Sequence, residues 1–334
     1  MNPNPVIVVV AKRMKKSETA MRMLEEKNYD ILRVSEYSHV DQRDRERISV
    51  IVVSDSFFGA SEMSMFPNLK MITRSATGVD TVDIDAAKER SIVVTRVASI
   101  NAKPTGDLAL TYLLALTRNI VPTSYLLRHR LDIPWQDMRI PGRNIAGMRV
   151  GIIGLGHLGR HLARRLHSWG VKLVGWNRTF RPEVRKVMGE CVMPLSHTIE
   201  YLMEESDAVV CCLAYEKGDG GNEKMISWEI LSHMKPGSFF VNVGRGAVVD
   251  EDALADMMEE GRLAGLALDV YSEEPPFKLP FFSRLQMMAS RGKNIILAPH
   301  MGDRTQENDE AVSIKVAENV IAVLEGRLQD AEIV

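Results

Sequence analysis

Three glycines, Gly154, Gly156 and Gly159, lie between an apolar run and a stretch whose leucines recur at helical spacing. The run Val150–Gly154 predicts a buried strand that leads directly into the glycines. In that strand–turn–helix context the spacing G-x-G-x-x-G indicates a dinucleotide-binding turn. Gly154 would make the tight turn, Gly156 would admit a pyrophosphate, and Gly159 would let the helix approach the strand. The N–H groups at the positive end of the helix would then face the phosphates.

The residues after the next predicted strand bear on the choice of cofactor. They are Asn177, Arg178 and Thr179, with Arg181 and Arg185 adding positive charge nearby. An acidic side chain at this position would accept hydrogen bonds from the ribose of NAD, and none is present. A guanidinium holds a phosphate through charge-assisted hydrogen bonds, whereas a carboxylate repels it. We therefore expect NADP(H) to be preferred, with NAD(H) as the alternative.

Three polar side chains of different types follow three successive predicted strands: Arg245, Glu274 and His300. Open α/β sheets bind ligands outside the carboxyl ends of their strands. A guanidinium, a carboxylate and an imidazole at three such ends can therefore converge on one crevice. The glycine-rich turn indicates a cofactor, so the reaction has to come from these later groups.

Composition limits the class of protein. The 334 residues carry a formal charge of −2, with no basic tail or block that would favour nucleic acid, and no apolar run long enough to span a membrane. The cysteines are Cys191, Cys211 and Cys212, an odd number with an adjacent pair, which argues against a disulfide framework. We expect a cytoplasmic protein, with Cys211 and Cys212 packed in a core.

Short apolar runs alternate with helical stretches, which predicts parallel sheets covered by helices. The first series of predicted strands is Val6–Ala11, Ile48–Val53, Met71–Arg74 and Ile92–Thr95. The second is Val150–Gly154, Lys172–Trp176, Ala208–Leu213, Phe239–Val243, Gly265–Asp269 and Asn294–Leu297. The clearest predicted helices are Lys15–Asn28, Asp83–Arg90, Leu108–Leu116 and Glu307–Glu325.

Several ordered segments resemble the NAD(P)-dependent D-isomer-specific 2-hydroxyacid dehydrogenases, which include phosphoglycerate dehydrogenases, glyoxylate/hydroxypyruvate reductases and D-lactate dehydrogenases. Besides the glycine-rich turn, the segments are Arg74–Asp85, Met234–Gly237, Val243–Leu254, Ala267–Pro275 and Pro299-His300. The resemblance implies two Rossmann-like α/β domains and a homodimer. A nucleotide-binding domain, residues 102–300, would be inserted into a split flavodoxin-like substrate domain, residues 1–101 and 301–334.

The resemblance also implies roles. His300 would be the general acid/base, Glu274 its carboxylate partner, with Glu273 as the competing candidate, and Arg245 would bind the substrate carboxylate and polarise the carbonyl; no metal is needed. The predicted substrate-binding residues are Arg74, Ala76, Thr77, Gly78, Arg245 and His300. The predicted cofactor-binding residues are Thr77, Thr105, Gly154, Gly156, His157, Leu158, Gly159, Asn177, Arg178, Thr179, Leu213, Val243, Gly244, Arg245, Asp269, His300 and Gly302.

The chain departs from the family pattern in places. Ala76 and Asp107 stand where Gly and Glu are common, Asp303-Arg304 replaces small residues, and Glu216–Gly221 resembles an extra loop near the cofactor. We expect a 2-ketoacid reductase or D-2-hydroxyacid dehydrogenase whose particular acid stays open. The alternatives are a cofactor-sensing, corepressor-like binding protein and a dehydrogenase of an anion such as phosphite or formate.

Overall fold

A computed structural model describes residues 6–9, 12–54, 56–129, 132–179, 195–218 and 220–334. The chain forms two compact units, one of Met1–Ala102 with Asp303–Val334 and one of Lys103–Gly302. Each unit contains one all-parallel sheet, so the predicted α/β class is confirmed. Within these described ranges, no helix combines the length and the apolar character that a membrane crossing requires.

The elements are as follows. The strands are β1 Val6–Val9, β2 Asp30–Arg33, β3 Ile48–Val53, β4 Met71–Arg74, β5 Val93–Thr95, β6 Arg149–Ile153, β7 Lys172–Trp176, β8 Ala208–Cys211, β9 Ser238–Asn242, β10 Leu263–Leu268 and β11 Ile295–Leu297. The helices are α1 Lys12–Lys16, α2 Glu18–Glu25, α3 Ala60–Ser64, α4 Ile84–Glu89, α5 Ala102–Thr117, α6 Ile120–His129, α7 His157–Ser168, α8 Ile199–Glu205, α9 Trp228–Ser232, α10 Glu251–Glu259, α11 Pro280–Ser290 and α12 Gln306–Leu324.

The first unit has the strand order β2-β1-β3-β4-β5 with every pair parallel, which is the flavodoxin-like order. Its central strands are buried on both faces, as near-continuous Val and Ile runs predict. One face packs against residues such as Phe58 and Met63. The other face packs against Val312, Val316 and Val320 of α12, so the last helix completes this core.

One local prediction for this unit is wrong, and one strand was not predicted. The predicted helix Lys15–Asn28 is broken, because Ser17 adopts an extended conformation and its Oγ accepts the Ala20 N–H as the cap of α2. Strand β2 was missed by the hydrophobic pattern, since it is an edge strand in which Asp30 and Arg33 are exposed. The other predicted strands of both units match the observed ones to within about two residues at each end, except that Val10 and Ala11, the last residues of the first predicted strand, lie outside the described residues.

The second unit has the order β11-β10-β9-β8-β6-β7, again all parallel, and Leu195 makes a further parallel bridge to Gly175 of β7. The chain order reverses between β6 and β8, and such a switch point opens a crevice at the carboxyl ends of the strands. Helix α5 packs its apolar face on this sheet through Leu113 and Leu116. All three polar side chains at strand ends belong to this unit.

Candidate active site

The glycine-rich turn has the geometry that its spacing predicts. Gly154 has a φ of +95°, in the left-handed region that favours glycine. A Cβ atom on Gly159 would lie 2.0 Å from the Gly154 carbonyl oxygen, so the strand and α7 approach each other too closely for any side chain. A Cβ on Gly156 would meet no protein atom within 4 Å. The turn therefore leaves open space beside its backbone, at the N-terminus of a 12-residue helix.

The neighbouring predicted residues on α7 differ in burial. His157 is exposed at the start of the helix, whereas Leu158 is half-buried and packs against the core of the unit. Leu213 lies beside both glycine positions, because a Cβ on Gly244 would lie 2.5 Å from the Leu213 carbonyl oxygen and a Cβ on Gly154 would lie 3.1 Å from Leu213 Cδ2. Val243, beside Gly244, is buried in the core. The backbone that follows β8 therefore packs directly against the backbone that follows β9.

The end of β7 is polar and exposed. Asn177 accepts the Leu155 N–H at 3.3 Å through Oδ1 and donates through Nδ2 to the Thr179 carbonyl at 2.6 Å. It thereby joins the glycine-rich turn to the end of the next strand. Arg178 forms an ion pair with Glu216 and donates to the Gly220 carbonyl at 3.4 Å. Arg181, Arg185 and Cys191 lie outside the described residues.

The imidazole of His300 and the carboxylate of Glu274 are in direct contact. His300 Nδ1 lies 2.7 Å from Glu274 Oε2, and Glu274 Oε1 accepts the Tyr271 N–H at 3.1 Å. The hydrogen bond to Glu274 raises the pKa of His300 above the ordinary value of 6.5, against the opposing effects of burial and the Arg245 charge. Glu274, rather than Glu273, is the carboxylate that contacts His300.

Asp269 fixes the backbone that follows His300. Its carboxylate is buried and accepts the N–H groups of Met301 at 3.1 Å and Gly302 at 2.9 Å. The hydroxyl of Tyr112 donates to the same carboxylate at 3.0 Å from α5. His300 itself has a φ of +51°. Asp269 therefore holds both residues that follow a left-handed histidine.

Thr105 and Gly302 lie beside this anchor. A Cβ on Gly302 would come within 2.7 Å of Thr105 Cγ2 and 3.0 Å of Asp269 Oδ2. The structure thus brings together three residues that the resemblance assigns to the cofactor: Thr105, Asp269 and Gly302. Glycine is needed at position 302 because the anchor leaves no space for a side chain.

Arg245 begins the segment that follows β9. Its Nη1 donates to the Gly244 carbonyl at 2.8 Å, and its own carbonyl accepts Asn242 Nδ2 at 3.0 Å. A Cβ on Gly246 would lie 1.9 Å from the Tyr271 carbonyl carbon. The backbone after Arg245 is therefore pressed against the segment that leads to Glu274.

A buried glutamate near this segment escaped the sequence analysis. Glu251 is 5% exposed, and its Oε1 accepts the Ser272 N–H at 3.0 Å. Burial raises the pKa of Glu251 to about 7. Glu251 and Glu274 thus accept successive backbone N–H groups, those of Ser272 and Tyr271. The only sequence signal for Glu251 was its place inside the family-like segment Val243–Leu254.

The predicted substrate loop belongs to the first unit. Thr77 donates to the Val97 carbonyl at 3.1 Å, and Ala76 accepts the Val97 N–H at 3.1 Å. Arg74 is buried, with Nε donating to the Gly78 carbonyl at 3.0 Å and Nη1 contacting Ser54 and Thr81. These contacts make Arg74 a support for the loop of residues 76–78.

Cys211 and Cys212 lie at the end of β8. Cys211 is fully buried in one hydrophobic core of the second unit, as predicted, and Cys212 is half-buried against the other core of that unit. Burial raises the pKa of the Cys211 thiol to about 12 and that of Cys212 well above its ordinary value. Both thiols are therefore protonated at neutral pH.

A doubly wound sheet with this turn and this polar set is the arrangement expected of a nicotinamide-dependent oxidoreductase. The family model for the D-isomer specific 2-hydroxyacid dehydrogenase NAD-binding domain matches residues 110–302. A glyoxylate reductase from Thermococcus litoralis is 34% identical over 266 residues, which cover 78% of this chain and 76% of that protein. The chain belongs to the D-isomer specific 2-hydroxyacid dehydrogenases.

Solved structures agree with this assignment. The NADPH-dependent glyoxylate/hydroxypyruvate reductase from Sinorhizobium meliloti has a TM-score of 0.80 at 27% identity, covering 96% of this chain and 95% of that one. A glyoxylate reductase from Paecilomyes thermophila shares the fold, with a TM-score of 0.83 at 22% identity over 99% and 98% of the two chains. The chain is an NAD(P)-dependent 2-hydroxyacid dehydrogenase, so the predicted family and enzyme class are confirmed.

The described residues fit the nicotinamide cofactor that the family uses. The open space at Gly156 matches the need of a pyrophosphate to approach the backbone at a helix N-terminus. The close contact between Gly159 and Gly154 keeps that helix end against the strand. The coarse function, reduction of a small 2-ketoacid or oxidation of a 2-hydroxyacid with a nicotinamide cofactor, follows from the family.

Proposed function

We propose that His300, Glu274 and Arg245 perform the proton transfer and substrate orientation of this reaction. The observation that carries the proposal is the 2.7 Å contact between His300 Nδ1 and Glu274 Oε2. With Nδ1–H donated to the carboxylate, Nε2 is the nitrogen that exchanges a proton with substrate. A bound nicotinamide supplies or accepts the hydride at the second carbon of the substrate.

In the direction of reduction, His300 Nε2 gives its proton to the carbonyl oxygen as that oxygen gains charge; in oxidation the neutral imidazole takes the hydroxyl proton. Glu274 stabilises the imidazolium and fixes the ring. Arg245 pairs with the substrate carboxylate and polarises the carbonyl. Asp269 positions His300 by accepting the N–H groups of the two residues that follow it, and Tyr112 donates to the Asp269 carboxylate. Ala76, Thr77 and Gly78 stay predicted substrate contacts through their backbone N–H groups.

Two histidine–carboxylate pairs allow a matched test. Substituting His300→Gln should lower kcat by about 10²- to 10⁴-fold, the usual contribution of general acid–base catalysis, and change cofactor affinity far less. His233 contacts Glu204 at 2.8 Å on the surface of the same unit, and His233→Gln should leave kcat unchanged. An active His300→Gln variant would overturn the mechanism.

We propose small 2-ketoacids as substrates, with glyoxylate and hydroxypyruvate first. The support is the activity of the relatives from Thermococcus litoralis and Sinorhizobium meliloti, a glyoxylate reductase and a glyoxylate/hydroxypyruvate reductase. NADPH oxidation should be compared across glyoxylate, hydroxypyruvate, phosphohydroxypyruvate, phosphonopyruvate and bulkier 2-ketoacids. A specificity constant that is highest for a bulky apolar ketoacid would overturn this assignment.

We also propose that NADP(H) is preferred over NAD(H). Asn177 and Arg178 at the end of β7 provide no carboxylate for a ribose hydroxyl and one guanidinium for a 2′-phosphate. The Sinorhizobium meliloti relative is NADPH-dependent. Arg178→Ala should weaken NADP⁺ binding by about tenfold relative to NAD⁺, the loss of one charge-assisted contact. A wild-type enzyme with a higher kcat/KM for NADH would contradict the proposal.

A homodimer is proposed from family resemblance, with the second unit forming the contact. Helix α6 exposes Ile120 and Leu127, each 56% exposed, and so offers apolar surface for it. Sedimentation velocity at micromolar concentration should give twice the mass of the 37.4 kDa chain. A single species at the monomer mass would contradict it.

A further inference from the structure

The loop that follows β8 holds a carboxylate beside the guanidinium proposed for the 2′-phosphate. Asn222 closes this loop: it is buried, accepts the Glu216 N–H at 2.8 Å and donates to the Ala214 carbonyl at 2.7 Å. The Asn222 N–H also donates to the Glu216 carbonyl at 3.1 Å. A Cβ on Gly221 would lie 2.4 Å from that carbonyl oxygen, so the closure requires glycine. The backbone of Glu216 is therefore fixed on both sides.

The side chain of Glu216 is directed at Arg178. The two form an ion pair, and Arg178 also donates to the Gly220 carbonyl in the same loop. Their side chains are 54% and 46% exposed, and exposed ion pairs contribute only about 0–1 kcal/mol. The pair is thus fixed in place by the loop but weak enough to be exchanged.

A phosphate and the Glu216 carboxylate need the same guanidinium. A phosphate with about two negative charges binds arginine more strongly than a carboxylate does, but it is repelled by a carboxylate close by. The ribose hydroxyl of NAD, in contrast, is a hydrogen-bond donor that a carboxylate accepts. The Glu216 carboxylate would therefore lower the affinity for NADP(H) and raise the affinity for NAD(H).

We propose that Glu216 is a specificity-determining residue for the cofactor. Its carboxylate competes with the 2′-phosphate for Arg178 and replaces, from the loop after β8, the acidic residue that is absent from the end of β7. The inference rests on the proposed NADP(H) preference. It implies that the preference for NADP(H) over NAD(H) is smaller than Arg178 alone would give. The enzyme therefore also binds NAD(H).

The test is calorimetric titration of the full chain with NADP⁺ and NAD⁺, which reads binding without turnover. Glu216→Gln should lower the Kd of NADP⁺ by about three- to tenfold and leave that of NAD⁺ equal or higher. Glu223→Gln is the matched control. It removes the same charge from the same loop, but Glu223 contacts the Tyr215 hydroxyl at 3.2 Å and not Arg178. The control should leave both constants within twofold.

Two further variants separate the possible failures. In an Arg178→Ala background, Glu216→Gln should lose most of its effect on NADP⁺, because no guanidinium remains to be contested. An undiminished effect there, an equal effect of Glu223→Gln, or no effect of Glu216→Gln would each overturn the inference. Failure of the NADP(H) preference appears separately, as an Arg178→Ala variant whose NADP⁺ and NAD⁺ affinities change equally.

Discussion

The two ends of the second unit's ligand crevice are held by different kinds of contact. At one end, the carboxylates of Asp269, Glu251 and Glu274 accept backbone N–H groups from the segments that follow β10 and β11, and the first two residues are buried. At the end of β7, the Arg178–Glu216 pair is about half exposed. Buried acceptors are costly to leave unpaired, whereas exposed ion pairs are not. Under the proposed mechanism, the first end fixes the geometry of the reaction and the second sets the choice of cofactor.

The strongest test of this contrast is Asp269→Asn. The amide keeps one acceptor oxygen, so the N–H of Met301 or of the buried Gly302 loses its partner. We expect the free energy of unfolding to fall by about 1–3 kcal/mol and kcat by about 10²-fold, since misplacement of a catalytic group has effects of that size. Urea unfolding and steady-state kinetics measure both. Asp256→Asn, at a surface aspartate that contacts Arg284, is the control and should change neither.

Glu251→Gln tests whether the burial of the Glu251 carboxyl lowers the free energy of unfolding. A carboxyl whose pKa is raised by folding holds its proton longer in the folded protein than in the unfolded chain. Its contribution therefore disfavours folding increasingly as pH rises from 4.5, the ordinary value, to about 7, and is constant above. Across that window the variant should gain about 2–3 kcal/mol relative to wild type. If the difference in free energy of unfolding between the variant and wild type did not vary with pH, burial of this carboxyl would not be destabilising as proposed.

Glu274→Gln should change the pH dependence of reduction. Without the carboxylate the pKa of His300 is no longer raised, so the protonated imidazole is lost at a lower pH. We expect the alkaline limb of kcat/KM to move to lower pH, with a loss of about tenfold or more at pH 8. Glu204→Gln removes the carboxylate that contacts His233 and should leave the limb in place. An unmoved limb in Glu274→Gln would mean that Glu274 does not act through His300.

The smallest effect is expected at the other end of the crevice. Asn177→Asp keeps the acceptor for the Leu155 N–H, loses the donor to Thr179 and adds a charge at a half-buried position. The free energy of unfolding should change by less than about 1 kcal/mol, and kcat at saturating cofactor should be unchanged. The Kd of NADP⁺ should rise by about tenfold relative to that of NAD⁺. A large loss of kcat would show that the two ends are not independent.

Much of the fold could be predicted from local pattern. Strands buried on both faces are continuous apolar runs, so β3 and β4 were predicted at their observed bounds, and the glycine spacing predicted the turn before α7. Edge strand β2 could not be predicted in this way, because its exposed Asp30 and Arg33 interrupt the pattern. The hydrophobic pattern of a sequence therefore predicts the elements whose own residues are buried, and it does not predict exposed edge strands.

Contacts between distant elements were beyond such reasoning. Tyr112 lies within the predicted helix Leu108–Leu116, and no local pattern there predicts that its hydroxyl donates to Asp269, 157 positions along the chain. Arg178 was predicted from its place after β7, but its pairing with Glu216 depends on how the loop after β8 closes. The roles of His300 and Glu274 came from family resemblance, and their contact became visible only in three dimensions.

The left-handed backbone at His300 makes the residue needed for proton transfer less favourable for folding than glycine would be. At a φ of +51° a side chain with a Cβ is disfavoured by about 1–2 kcal/mol, a penalty that glycine avoids. A search for thermostable variants guided by backbone conformation alone would therefore select glycine at position 300 and discard the imidazole. Engineering of this enzyme should treat that position as one where a less stable residue is the useful one.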